Sequence, residues 1–141
     1  MPSHKTHDTI TYLLLIFLIP ISLLYIGINI YSLIFIISYI FAGLMFNGDL
    51  DCESKPYYRW KVFRLIWIPY QSLFKHRSFF THGIIIGTLI RLLYILIIPL
   101  IFYYHEIINF VWLYPKFFVF LLCGLEVGSI SHTVADKIYI K

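Results

Sequence analysis

Thr9 to Gly48 read TITYLLLIFLIPISLLYIGINIYSLIFIISYIFAGLMFNG, forty residues without a charged side chain. A helix needs ~20 apolar residues to cross a bilayer, so this run is about twice the required length. Gly27 and Asn29 stand near its middle. The run therefore predicts a helical hairpin, with spans over about Thr9–Ile26 and Ile30–Phe46. In lipid every backbone polar group must be satisfied within the segment, which makes helix the expected state.

Further along the chain, a third span is expected over about Gly83–Tyr104, a short polar turn at His105–Asn109, and a fourth span over about Phe117–Ala135. The fold class expected is all-α: a polytopic membrane bundle of about four transmembrane helices, with residues 1–141 forming a single membrane-embedded domain. Composition agrees. The 141 residues are 60% hydrophobic, 20% aromatic and 13% charged, against about a quarter charged in soluble domains. Mean hydropathy is +0.83. No small-x-small site closes the first apolar run, so it reads as a retained span rather than a leader.

Between the second and third spans the character changes. Six of the eleven basic residues lie in 47–81: Lys55, Arg59, Lys61, Arg64, Lys75 and Arg77. Trp60, Phe63, Trp67, Tyr70 and Phe74 follow a 3–4 spacing, an aromatic helical stripe interrupted by Pro69. An interfacial aromatic and basic segment at headgroup level is expected there, or else a loop helix packed on its neighbours. With four spans, Lys5, the six loop residues, Lys137 and Lys141 share one side, and Lys116 lies on the other. The positive-inside rule puts the basic side, and both termini, in the cytoplasm. The same topology accounts for the net charge of +4 without nucleic acid. Cys52 and Cys123 lie far apart in unlike surroundings, which argues against a disulfide or a cysteine zinc motif.

The polar residues converge. His4, His7, His76, His82 and His132 fall at the basic face, as do Asp8, Asp49, Asp51, Glu53 and Asp136; among histidines only His105 falls opposite. His132 and Asp136 stand at i and i+4, so both can reach one ion from one helix face. Asp49 and Asp51 follow the second span, where acidic groups oppose the helix dipole and call for a cation or for nearby basic groups. His76 and His82 precede the third span. Thr6 and Asp8 also suit an N-cap of the first helix. Arg91 and Glu126 lie at similar depth, roughly 13–15 Å from that face at ~1.5 Å rise per residue, and an ion pair between the third and fourth helices is expected.

The segments Met1–Asp8, Phe46–Asp51, Trp67–Tyr70 with His76–Gly83, and Ser131–Asp136 resemble, in order, the membrane metal-binding proteins, a small family of photosynthetic bacteria and related lineages. That family is similar to the membrane-bound metal-dependent hydrolases and, distantly, to zinc-dependent phospholipases C and single-strand nucleases. The resemblance implies a divalent metal, zinc first and manganese or iron next, held by His7, Asp49, Asp51, His76, His82, His132 and Asp136. It implies a hydrolase of phosphoesters, with lipid among the substrates, working at the cytoplasmic face of a bacterial inner or thylakoid-type membrane. Asp49 would act as ligand or general base, and Arg77 would pair with phosphate. The alternative is a non-enzymatic membrane protein with a structural metal or an assembly role. A metal carrier is disfavoured, because the first two spans carry no charge and the far side offers only His105 and Glu106.

Overall fold

The structure, a computed structural model, describes residues 4–138. The side chains of His4 and of residues 137–141, which enter the charge and histidine counts above, lie outside that description. Among the described residues the chain is all-α. Helices α1 (His4–Tyr25) and α2 (Ile30–Leu44) are followed by a 3-10 turn at Gly48–Asp51 and the short α3 (Lys55–Arg59). A second 3-10 stretch, Lys61–Ile66, leads into α4 (Trp67–Leu73) and α5 (Phe79–His82). The long α6 (Ile86–Leu113) and α7 (Pro115–Ile138) complete the bundle.

Among the described residues three helices are long and apolar enough to cross a membrane: Lys5–Tyr25, Ile86–Leu113 and Pro115–Asp136. Their outer faces carry exposed Leu, Ile and Phe, for example Phe17, Leu24, Ile98 and Phe102. Helix α2 is equally apolar but has 15 residues, about 22 Å at ~1.5 Å rise, short of a ~30 Å hydrocarbon core. The hairpin turn forms where Gly27 and Asn29 predict it. Gly27 takes φ +88°, a left-handed conformation that glycine adopts without strain. Asn29 caps α2, its Oδ1 accepting from Tyr31 N at 2.8 Å and Ser32 N at 3.3 Å.

Helix α7 lies against α2 and reaches α1. Gly124 and Gly128 make the contact with α2 possible. A Cβ on Gly128 would stand 2.5 Å from the Tyr39 carbonyl oxygen, and one on Gly124 would meet the Phe35 carbonyl. Two glycines four apart let membrane helices approach backbone to backbone. The pair Tyr39 Oη and Thr11 O, at 2.9 Å, ties α2 to α1.

Four expectations need correction. The third span does not end at Tyr104: α6 runs through His105–Asn109 to Leu113. Polar side chains do not break a helix; Pro99 and the non-helical Tyr103 (φ −128°, ψ 32°) mark a kink inside it instead. The aromatic stripe is not one helix. Lys61 at φ 51° and the 3-10 stretch divide it, and Pro69 falls in the first turn of α4, where a missing N–H costs nothing. Trp67 and Tyr70 are fully buried against Phe46 and Leu50.

Asp8 is not an N-cap. It lies inside α1 and pairs with Lys55 Nζ at 2.8 Å and Arg59 Nη2 at 2.6 Å. Nor do Arg91 and Glu126 form the expected ion pair. Arg91, fully buried, donates to Thr81 O at 2.7 Å, Ser129 Oγ at 2.7 Å and Thr88 Oγ1 at 3.2 Å. Glu126 Oε1 accepts from Ile85 N at 2.7 Å. Equal depth for the two charges requires one continuous helix from His82 onward. The chain breaks between α5 and α6, with Ile85 at φ 66°, and both charges serve the backbone groups that this break exposes.

Candidate metal centre

Four elements meet at one end of the bundle. The turn after α2 supplies Asp49, α5 supplies His82, and α7 supplies His132 and Asp136. Helix α1 brings His7 alongside. His132 and Asp136 share a face because they stand one turn apart on α7. Asp49 is presented by a tight turn whose start is fixed by Asn47, which accepts from Asp49 N at 3.2 Å and donates to Gly43 O at 3.0 Å. Gly48 lets His82 come close. A Cβ there would lie 2.7 Å from both Cδ2 and Nε2 of the imidazole.

One ligand atom from each of Asp49, His82, His132 and Asp136 lies within 4.8 Å of the others. His132 Nε2 is 3.2 Å from Asp49 Oδ2 and 3.7 Å from Asp136 Oδ2. His82 Nε2 is 3.5 Å from Asp49 Oδ1 and 3.8 Å from Asp136 Oδ2. Donors around a tetrahedral ion at ~2.0 Å stand about 3.3 Å apart, so small inward shifts suffice. Three donor atoms of the set, His82 Nε2, His132 Nε2 and Asp136 Oδ2, are buried and make no hydrogen bond. Buried polar atoms are rarely left so. Unpartnered lone pairs of two imidazoles and a carboxylate facing one point fit a divalent cation. Nitrogen and oxygen donors in equal number suit zinc, manganese or iron.

The two imidazoles also act on the Asp49 carboxyl. Burial on its own would raise the Asp49 pKa, but His132 and His82 outweigh it and hold the carboxyl well below the usual carboxylate range. Asp49 is therefore ionised. His7 Nε2 lies 3.3 Å from Asp136 Oδ1, and its ring packs 4.2 Å from that of His132. Arg77 Nη2 lies 3.7 Å from Asp136 Oδ1, and Arg77 itself takes φ 61°.

The seven sequence-expected ligands thus fall into two sets. Asp49, His82, His132 and Asp136 converge, with His7 beside Asp136. Asp51 and His76 form an adjoining group with Cys52, in which His76 Nδ1 lies 2.7 Å from Asp51 Oδ1. His105 lies elsewhere, far along α6. Sequence reasoning missed the roles of Gly48 and Thr81. A glycine directly before Asp49, and a threonine directly before His82, were the available signals. Both cysteines are free. A small crevice bordered by His7, Asp8, Asp49, Lys55 and His132 opens beside the centre.

An uncharacterized protein of Aquifex aeolicus (strain VF5) is 36% identical over 66 residues, 46% of this chain and 46% of its own length. The chain thus aligns with about half the length of that curated relative. No solved structure matches. The expected metal agrees with the family description, which names no reaction. By a family model that matches residues 2–141, the chain belongs to the uncharacterized metal-binding proteins of the DUF2227 family.

Proposed function

We propose that this protein is an integral membrane protein that holds a divalent cation, zinc first, at the end of its bundle and uses it to hydrolyse a phosphoester. The observation that carries the metal is the set of three buried, unpartnered donor atoms that converge with Asp49 on one point. Asp49, His82, His132 and Asp136 would hold the ion, with His7 steadying Asp136. When bound, such an ion lowers the pKa of a coordinated water to ~7 and polarises a phosphoryl oxygen.

The remaining steps fall to side chains. Arg77 flanks the centre with its side chain 31% exposed and its Nη2 3.7 Å from Asp136 Oδ1, a position from which its fork could pair with phosphate oxygens. Asp49, the most open carboxylate of the set at 16% side-chain exposure, is placed to take a proton from an attacking water or to serve as a ligand. Lys55 borders the crevice and adds positive charge to the approach.

We place α2 and its continuation as a fourth span, with both ends of the sequence and the 47–81 loop on the cytoplasmic side. The basic bias of that side supports this topology. Exposed Val62, Phe63, Leu65 and Leu73 beside Lys61 and Arg64 support contact of the loop with headgroups. A lipid phosphoester would then meet the site at headgroup depth. A second reading, a structural metal that clasps α1, α2 and α7, is favoured by one observation: His132 and Asp136 are almost fully buried, as in closed metal sites.

The experiment is metal content and phosphate release from detergent-solubilised protein, beside His82→Ala/His132→Ala and Arg77→Met. Stoichiometric metal in wild type and Arg77→Met but none in the double variant, with turnover lost in both variants, is expected. Bound metal without turnover on any phosphoester selects the structural reading. No metal in wild type after metal-replete purification overturns both.

A further inference from the structure

Asp51 belongs to the sequence-expected ligands, yet its surroundings give it a different duty. Its side chain is fully buried, and each carboxylate oxygen is already engaged. Oδ1 lies 2.7 Å from His76 Nδ1, and Oδ2 accepts from Arg77 N at 3.0 Å. Oδ2 also faces His82, 3.6 Å from Nδ1. That is the ring nitrogen turned away from Asp49 and Asp136. Asp51 thus stands behind His82, on the side opposite the other donors.

Thr81 stands there with it. Its hydroxyl is 3.0 Å from His82 Nδ1 and donates to Ser78 O at 3.2 Å. A hydroxyl has one proton. With that proton on Ser78 O, the oxygen can only accept from His82, which requires a proton on Nδ1. A carboxylate 3.6 Å away favours the same tautomer. Nε2 is then left with its lone pair, and Nε2 is the atom found buried and unpartnered. Thr81 is itself fully buried and fastened from within the bundle, its carbonyl accepting from Arg91 Nη1 at 2.7 Å.

We propose that Asp51 and Thr81 are positioning residues: they fix His82 as its Nδ1–H tautomer and aim Nε2 at the ion, while Asp51 itself stays out of the coordination sphere. This rests on the metal reading above. Metal-bound histidines commonly give their second N–H to a carboxylate or another acceptor. Asp51 has a second duty in the same place. By holding Arg77 N it fixes the left-handed backbone of Arg77, a conformation sparsely populated outside glycine, beside Asp136. The neighbouring Asp51–Cys52–His76 group is therefore an orienting cluster and not a second cation site. Both of its carboxylate oxygens are already engaged, Oδ1 by His76 Nδ1 and Oδ2 by Arg77 N.

The test uses the full chain in detergent with Co²⁺ as the probe and ¹⁵N-labelled histidine. Wild type, Asp51→Asn, Thr81→Val and Thr81→Ser are compared. Expected are one equivalent of Co²⁺ and an unaltered visible band shape in all four. Affinity should fall about 10- to 100-fold in Asp51→Asn and Thr81→Val and recover in Thr81→Ser. In the metal-free wild type His82 should show protonated Nδ1, and Thr81→Val should lose that preference. A changed band shape or a lost equivalent in Asp51→Asn makes Asp51 a ligand and overturns the proposal. So does protonated Nε2 in the metal-free wild type. If wild type binds no Co²⁺, the metal reading fails, while the tautomer measurement still decides what Asp51 and Thr81 do.

Discussion

Substituting Gly48 by alanine tests the centre by adding a single methyl carbon beside His82 while leaving every proposed donor group chemically unchanged. The added Cβ would stand 2.7 Å from Cδ2 and Nε2 of His82, whereas ordinary contact begins near 3.4 Å. The imidazole or the Asp49 turn must therefore retreat by at least about 0.7 Å. Metal–nitrogen distances tolerate only about 0.2 Å, so His82 cannot keep its place around an ion that Asp49, His132 and Asp136 still hold. A displaced ligand should cost at least what a lost orienting partner costs, about 10- to 100-fold in affinity, or about 1.4–2.7 kcal/mol. The assay is competition for Zn²⁺ or Co²⁺ against a chelator of known affinity, with circular dichroism to check the helices. His105→Ala, on the far part of α6, serves as the control and should bind as wild type does. Wild-type affinity in a normally helical Gly48→Ala protein would refute the claim that His82 meets an ion beside this glycine.

Two further outcomes are expected. Cys52 has its thiol pKa pushed up to about 12, by burial first and then by the charges of Asp49 and Asp51. A raised pKa keeps the thiol protonated through the physiological range, so alkylation at pH 8 should be about 100-fold slower than for a free thiol once the thiolate's greater nucleophilicity is counted. The rate should keep rising above pH 9, and a plateau there contradicts the assignment. Gly128→Leu should separate α7 from α2, because a Cβ already meets the Tyr39 carbonyl. A loss of about 1–3 kcal/mol in a denaturant titration is expected, together with loss of bound metal. Val119→Leu on the exposed face should change neither.

Much of this arrangement is legible from residues alone. The uncharged run 9–48 and the Gly27 and Asn29 pair within it predict the first hairpin, and the hairpin forms there. The i, i+4 spacing of His132 and Asp136 predicts a shared helix face, and their donor atoms lie 3.7 Å apart. What a one-dimensional reading misses is rotation and interruption. Arg91 and Glu126 have matching depth, but depth along an axis says nothing of azimuth, and the break before Ile86 resets both. His105 and Glu106 look like a turn because they are polar, yet helix is set by backbone hydrogen bonds, which these residues support. The aromatic stripe has the right period, but periodicity does not reveal that Lys61 leaves the helix and that Trp67 and Tyr70 turn inward. Asp51 lies two residues from Asp49 in sequence, and only the geometry of the turn shows that the two carboxylates face different sides of His82.

The proposed donors stand at positions 49, 82, 132 and 136, and a ribosome delivers them in that order. A chain whose α7 has not yet entered the bundle offers only Asp49 and His82, and a pair of donors holds a divalent ion poorly. Tight binding requires α7 to be seated on α2 through Gly124 and Gly128, since that contact carries His132 and Asp136 to their places. Metal acquisition would then come after membrane insertion and helix docking rather than before them. Occupancy of the centre would report on assembly, and a cell starved of the metal would accumulate chains that are inserted and helical but not yet clasped at one end.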